Sequence, residues 1–246
     1  MFVPNFTVHD FRDLKWDPVV ERDLPTLKGP QDEYMGREWA AAIYDNLDQQ
    51  VDAVISAFEA ATINILDIGC ASGSRAFTFA AKGHSVMAVD HGLHATHIKQ
   101  RNAALRKLNQ KRPPIRFLKK DACRLTPEEL GKKFDLIQAR GVPTFVSFAR
   151  LKKLIGVVSA NLQEGGFFAT SFVAEPRAEF DMLTDVHGKG TYPTYPLRDN
   201  KYSHHFSEVF HVLRESGLEV TDAFRHYRGD VGLVARKTAQ AAPAHN

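Results

Sequence analysis

One segment, Asp67-Ile68-Gly69-Cys70-Ala71-Ser72-Gly73, places an acid and two glycines between an apolar run, INILDI at 63–68, and a stretch of helical pattern at 74–82. Glycine allows a tight turn and lets backbone approach a ligand closely. Ligands of open parallel sheets bind at the carboxyl ends of the strands, so Gly69 and Gly73 lie where a nucleotide-like cofactor would lie. Asp90 ends the next apolar run, SVMAVD, 21 residues after Gly69. An acid at about that distance is where a ribose diol is held. Its charge disfavours a phosphate on the same ribose. Asp121 ends a third run, PIRFLKKD. The dinucleotide fingerprint has a third glycine, in the spacing G-x-G-x-x-G. Here an acid leads the loop instead. Asp67 suits a cationic amino group and would sit badly beside a pyrophosphate.

To hold these residues the chain must alternate strands with helices, and its pattern does so. Strands are expected at 63–68, 85–90, 114–121, 134–139 and 165–174, with helices at 74–82, 93–109, 148–163 and 206–217 and a short one opened by Thr126 and Pro127. Such alternation predicts a parallel sheet with helices on both faces. Residues 218–237 read as two strands joined by a turn at Arg228–Asp230, an antiparallel ending. Before the core, Met35, Trp39, Ile43, Leu47, Val51, Ile55 and Phe58 form one apolar helical stripe. Residues 1 to about 30 read as an irregular arm.

With these positions in view, the chain resembles the class I S-adenosylmethionine-dependent methyltransferases. Their first motif is an acid, one residue, then glycine-x-glycine-x-glycine. LDIGCASG is similar, with Ala71 where the middle glycine stands. AVD at 88–90, KKDA at 119–122, FDLIQAR at 134–140 and LQEGGFFATSF at 162–172 resemble the following motifs. The resemblance spans roughly residues 60 to 237, and its last elements look like those of the small-molecule branches, including the tellurite-resistance and thiopurine groups. It implies an α/β, doubly wound, Rossmann-like methyltransferase fold. The sheet would be seven-stranded and mostly parallel with an antiparallel last strand. It also implies S-adenosylmethionine as cofactor. Backbone from Gly69 through Cys70 and Ala71 to Gly73 would cradle the methionine part, with Asp67 on its amino group. Asp90 would hold the ribose, Asp121 and Ala122 would read the adenine, and His91 would pack near the adenine face. Gln138 and Ala139 would wall the sulfonium. A helix beginning near Tyr34 and Arg37 would fold over the cofactor, with Arg37 near its carboxylate and Tyr34 closing the substrate side.

The methyl acceptor must come from above the carboxyl ends of the strands. Arg140, after the fourth core strand, offers a planar donor for an anionic acceptor. No Asn-Pro-Pro-Tyr type motif follows it, which argues against methylation of nucleobase amines. The insertion HGKGTYPTYPLRDNKYSHH, 187–205, has the composition of a lid. It supplies Tyr192, Tyr195, Tyr202 and Arg198 as acceptor contacts, and His204 or His205 as a base near neutral pH.

Composition supports one domain over the 246 residues: an arm and lid helices at 1–60, a catalytic core at 61–238 and the insertion at 187–205. Two cysteines cannot form a disulfide framework, and no metal-binding motif occurs. The N-terminus carries Asp10, Arg12, Asp13 and Lys15 where a signal peptide needs an apolar run, so a cytoplasmic enzyme with no membrane span is expected. The stretch 99–124 holds ten Lys or Arg and one acid, the best argument for nucleic acid. It lacks interleaved aromatics for base stacking and is read as a solvated face. The reading is methyl transfer to O, N or S of a small molecule. Its rivals are an RNA or protein methyltransferase and a silent cofactor-binding protein. Oligomeric state is open.

Overall fold

The structure is a computed structural model and describes residues 15–16, 46–58, 62–92, 95–107, 115–175, 202, 204–225 and 230–238. Its strands are β1 (Lys15–Trp16), β2 (Asn64–Ile68), β3 (Ser85–Asp90), β4 (Arg116–Lys119), β5 (Phe134–Arg140), β6 (Leu162–Glu175), β7 (His204–His205), β8 (Leu218–Arg225) and β9 (Asp230–Lys237). Its helices are α1 (Asn46–Ala57), α2 (Ser74–Ala81), α3 (Ala95–Lys107), α4 (Pro127–Leu130), α5 (Phe148–Asn161) and α6 (Phe206–Glu215). Short 3-10 turns at Ala122–Arg124 and Val142–Phe145 follow β4 and β5.

The sheet order is β1-β8-β9-β6-β5-β2-β3-β4, with β7 alongside β6. β9 runs antiparallel to both β6 and β8, and the other pairings are parallel. The chain moves from β2 outward through β3 and β4, then returns to lay β5 on the other side of β2. That reversal falls at the carboxyl ends of β2 and β5, the place where open α/β sheets bind ligands. Asp67 and Gln138 are register partners across it.

Strand alternation decides which side chains reach it. Leu66, Ile68, Met87, Val89, Ile137 and Ala139 enter one apolar core, with Leu130 of α4, Leu151 and Leu154 of α5 and Leu213 of α6. Ile65, Val86, Ala88 and Leu136 enter the other, with Leu47 and Val51 of α1, Phe77 and Phe79 of α2, and Ile98 of α3. Because the strand period is two, Asp67, Asp90, Gln138 and Arg140 fall on the second face, toward α1, α2 and α3.

Two expectations need correction. Seven strands form the expected core, but the N-terminal arm is not wholly irregular: Lys15–Trp16 adds a short parallel edge to β8. Two residues of backbone pairing leave no period for a sequence pattern to show. His204–His205 do more than open a helix, since they pair in parallel with Ala174 and Glu175 before α6 begins. Of the N-terminal stripe, the described part is α1, where Leu47 and Val51 are buried and Ile55 and Phe58 pack against the same core. Met35, Trp39, Ile43 and the turn residues Arg228 and Gly229 lie outside the described residues.

Candidate active site

The loop after β2 is stitched to the end of β3. The Gly69 and Cys70 amides both donate to the Val89 carbonyl, at 2.8 and 3.2 Å, and the Gly73 amide returns to the Cys70 carbonyl at 2.8 Å. Gly69 and Gly73 have φ of 70° and 76°, a region that favours glycine. Space also demands them: a Cβ on Gly69 would lie 2.2 Å from Cγ2 of Val142, and one on Gly73 would lie 2.3 Å from Cδ1 of Ile98. Ala71 is the one described non-glycine residue with positive φ, at 45°. It stands where the resembled motif has glycine, which explains the usual preference there.

Asp67 is buried beneath this loop. Its Oδ1 accepts from Gln138 Nε2 at 2.8 Å, while its Oδ2 is buried and has no hydrogen-bond partner among the described residues. Burial pushes the carboxyl up to about 7 from its usual 3.8. The Gln138 amide pulls it down, the Ala76 N–H at the start of α2 does so without closing a hydrogen bond, and the charge of Asp90 pushes it further up. Cys70 is also buried, and burial followed by the charges of Asp67 and Asp90 raises its thiol, which disfavours the thiolate.

Asp90 is buried at the end of β3 and latches the loop. Its Oδ2 accepts from the Ala71 amide at 2.9 Å and its Oδ1 from the Gly92 amide at 2.7 Å. His91 is exposed, with Nδ1 3.4 Å from Asp90 Oδ1. Asp121 caps the turn that begins at Ala122, accepting from the Cys123 amide at 3.0 Å. Arg150 grips both Asp121 oxygens, at 2.8 and 2.7 Å. Burial alone would raise Asp121, but the Cys123 amide, Arg150 and Arg124 together hold it below the usual carboxylate range.

Arg140 reaches back to α1, where Nη1 donates to Asp48 Oδ1 at 2.7 Å. Arg75, at the start of α2, pairs with the same carboxylate. Asp48 is buried, so one acid ties α1 to α2 and to the end of β5. Beyond Arg140, the chain turns at Gly141, whose amide donates to the Ser171 carbonyl and hydroxyl at 3.2 and 3.1 Å. The Val142–Phe145 turn also receives the described end of the insertion. The Tyr202 amide donates to the Thr144 carbonyl at 2.7 Å, and His204 Nε2 lies 2.9 Å from the Pro143 carbonyl. A carbonyl only accepts, so that nitrogen carries the proton. His204 is buried between Phe148 and Phe172, whereas His205, Tyr202 and Phe145 are exposed.

Thus the structure gathers Asp67, Gly69, Cys70, Ala71, Gly73, Asp90 and Gln138 at the carboxyl ends of β2, β3 and β5, turns Arg140 to Asp48 on the α1 face of the sheet, and holds Tyr202 and His204 at the Val142–Phe145 turn, with the His204 ring against Phe148 and Phe172 of the other core. Asp121 and Ala122 sit at the end of β4. Tyr34, Arg37, Tyr192, Tyr195 and Arg198 lie outside the described residues. Sequence reasoning passed over four contributors. Asp48 had a signal, since it is an acid beside Leu47 and Val51 on an apolar stripe. Val142 covers Gly69. Arg101 of α3 holds the loop, with Nε on the Ser72 carbonyl at 2.6 Å and Nη2 on Ser74 Oγ at 2.7 Å. Arg150 holds Asp121. No spacing rule marks these last three.

The comparisons bear on the fold. A family model described as a methyltransferase domain matches residues 65–166, from β2 into β6. A search of curated proteins by sequence finds no match. Among solved structures, magnesium protoporphyrin IX methyltransferase from Synechocystis PCC 6803 with bound SAH is similar, with TM-score 0.58 and 15% identity over 78% of this chain and 82% of that one. A SAM-dependent methyltransferase from Methanosarcina mazei has TM-score 0.55 and 19% identity over 76% and 98% of the two chains. The 1,6-didemethyltoxoflavin-N1-methyltransferase of Burkholderia thailandensis has TM-score 0.55 and 20% identity, covering 79% of each chain. At such identities the likeness concerns fold. Residues 65–166 thus match a methyltransferase-domain model, and the fold is similar to that of solved S-adenosylmethionine-dependent methyltransferases. The residues fit that cofactor on one point above all: the unpartnered Asp67 oxygen is a buried acceptor that a cationic amino group would satisfy. Among the described residues, no group of three His, Cys, Asp or Glu could hold a metal ion, and no helix is long and apolar enough to cross a membrane.

Proposed function

We propose that this chain transfers a methyl group from S-adenosylmethionine to an oxygen, nitrogen or sulfur atom of a small, anionic or aromatic acceptor, and that it works in the cytoplasm. The observation that carries the cofactor half is the buried Asp67 oxygen left without a partner at the sheet's reversal point. The cofactor supplies an activated methyl group on a sulfonium. What remains for the protein is alignment, and a base where the acceptor carries a proton.

In this reading Asp67 holds the amino group. Asp90 takes the ribose hydroxyls beside the two backbone amides it already binds, since a carboxylate has lone-pair sites for about four donors. Asp121, fixed by Arg150, and the Ala122 backbone face the adenine. Arg140 orients the acceptor's anionic group, Tyr202 and the residues of the insertion give it aromatic walls, and exposed His205 takes its proton. Two of the similar structures are named for methyl transfer to small molecules, which favours an acceptor of that class. The 99–124 stretch is also less of a nucleic-acid surface than its composition suggests. Arg101 is spent on the loop, Lys120 pairs with Glu129, and Arg124 faces Asp121 at 3.7 Å.

The test is calorimetry with S-adenosylhomocysteine, followed by turnover with a panel of aromatic carboxylates and phenols. Arg140→Ala should raise the acceptor KM roughly tenfold or more, as expected for one lost charged contact, with cofactor affinity nearly unchanged. Binding without turnover on any acceptor would favour the silent binder. Loss of cofactor affinity with no KM effect would remove Arg140 from the acceptor side.

A further inference from the structure

The turn Gly141–Phe145 is gripped from three directions. On the sheet side, Ser171 receives the Gly141 amide. On the cofactor side, Val142 lies so close over Gly69 that no Cβ fits between them. On the acceptor side, the chain just before α6 hangs from the turn by two bonds, Tyr202 amide to Thr144 carbonyl and His204 Nε2 to Pro143 carbonyl. The Pro143 carbonyl also accepts from the Val146 amide at 3.2 Å, so it is a fixed acceptor. The His204 ring is enclosed by Phe148 and Phe172, 3% exposed, with its donor nitrogen committed.

We propose that His204 is a positioning residue rather than the group that takes a proton from the acceptor: by holding the Pro143 carbonyl it seats the turn, and with it Val142, on the cofactor loop. The inference rests on the reading that residues 69–73 hold the cofactor. Its consequence is coupling. The acceptor-side segment and the cofactor loop meet through one short turn, so loosening His204 loosens cofactor binding, although the ring lies on the acceptor side.

A glutamine at 204 keeps an N–H donor at similar reach and cannot serve as a base. A leucine fills the apolar site and has no donor. Dissociation constants for S-adenosylhomocysteine, measured by calorimetry without any acceptor, separate the alternatives. His204→Leu should weaken binding about tenfold, the worth of one buried hydrogen bond. His204→Gln should recover to within about threefold of wild type, and its pH–rate profile should match the wild-type profile. Val142→Ala, which loosens the same seat without touching the histidine, should weaken binding in the same direction and serves if the leucine variant fails to fold. A leucine variant, or failing that Val142→Ala, that binds like wild type overturns the proposal. So does a glutamine variant that binds normally yet loses turnover as a missing base would. Wild-type protein that does not bind S-adenosylhomocysteine would sink the cofactor reading itself, a distinct outcome.

Discussion

Asp67→Asn should stabilise the protein at pH 8 while damaging cofactor binding. Burial raises the folded-state carboxyl to about 7 from 3.8, so ionising it in the native state is costly. A rise of that size corresponds to about 4 kcal/mol. The sign follows from proton counting. Between pH 3.8 and 7 the folded chain keeps a proton that the unfolded chain has released. The group's contribution to stability is therefore complete below 3.8 and lost as pH climbs to about 7. Asparagine never ionises and still offers Oδ1 to Gln138. Its own amide then lacks a partner, which costs about 1–3 kcal/mol and offsets part of the gain. That penalty does not depend on pH, so the slope is diagnostic. Relative to the variant, wild type should lose about 1.4 kcal/mol per pH unit through the window below 7 and level off above it. Urea unfolding of both proteins without cofactor from pH 4 to 8 measures this. Parallel profiles would refute the claim that Asp67 is an unsatisfied buried acid. The same logic makes wild-type binding of S-adenosylhomocysteine release a proton at pH 6, visible as buffer-dependent heat, and the variant should bind tenfold or more weakly with no such release.

Gly69→Ala should abolish measurable cofactor binding and destabilise the fold, because its φ of 70° strains any side chain and Val142 lies 2.2 Å from the new Cβ. Adding Val142→Ala should recover part of the stability, and no recovery would show that φ alone is at fault. Asp90→Ala should weaken S-adenosylhomocysteine binding by roughly 1.5–3 kcal/mol per lost charged bond at most. It should also lower the melting temperature, since the Ala71 and Gly92 amides lose their acceptor; an unchanged dissociation constant would remove Asp90 from the ribose. Asp48→Ala should cost about 3–5 kcal/mol in unfolding free energy, the range for breaking a buried pair by deleting one partner. Asp48→Asn should cost less, and equal losses would mean that its charge does nothing.

The alternating core was readable because apolar runs bounded by acids and glycines have one economical arrangement. INILDI, SVMAVD and FDLIQA became β2, β3 and β5 at nearly their sequence bounds, and Thr126–Pro127 opened α4 as its cap chemistry requires. A boundary moved where a strand meets polar sequence: the strand drawn at 114–121 is Arg116–Lys119, while the described part of the helix drawn at 93–109 is Ala95–Lys107. Two-residue strands such as Lys15–Trp16 and His204–His205 exist only because a neighbour offers an edge, and no local pattern encodes that.

The candidate site stands out in the sequence only where folding alone gives a residue type no reason. An acid beneath a glycine loop and an acid 21 residues beyond its first glycine announce a ligand because both are awkward for folding alone. Partners were not readable. Arg101 and Arg150 belong to a stretch and a helix that look like ordinary solvated surface, yet one clamps the 69–73 loop and the other fixes Asp121. Asp48 is the instructive case. A carboxylate on the apolar face of α1 is too costly to keep unless it is paired, so its position alone demanded a cation from elsewhere in the fold. It did not say which. Arg140 answers because alternation along β5 puts residue 140 on the same sheet face as Leu136 and Gln138, and that face is the one α1 covers. Combining the two periods, strand and helix, would have paired them before any coordinates existed. In the function proposed above that pairing also serves the acceptor, because an arginine tied to a buried acid holds its guanidinium in one place, and in-line alignment of an anionic acceptor would need a fixed guanidinium.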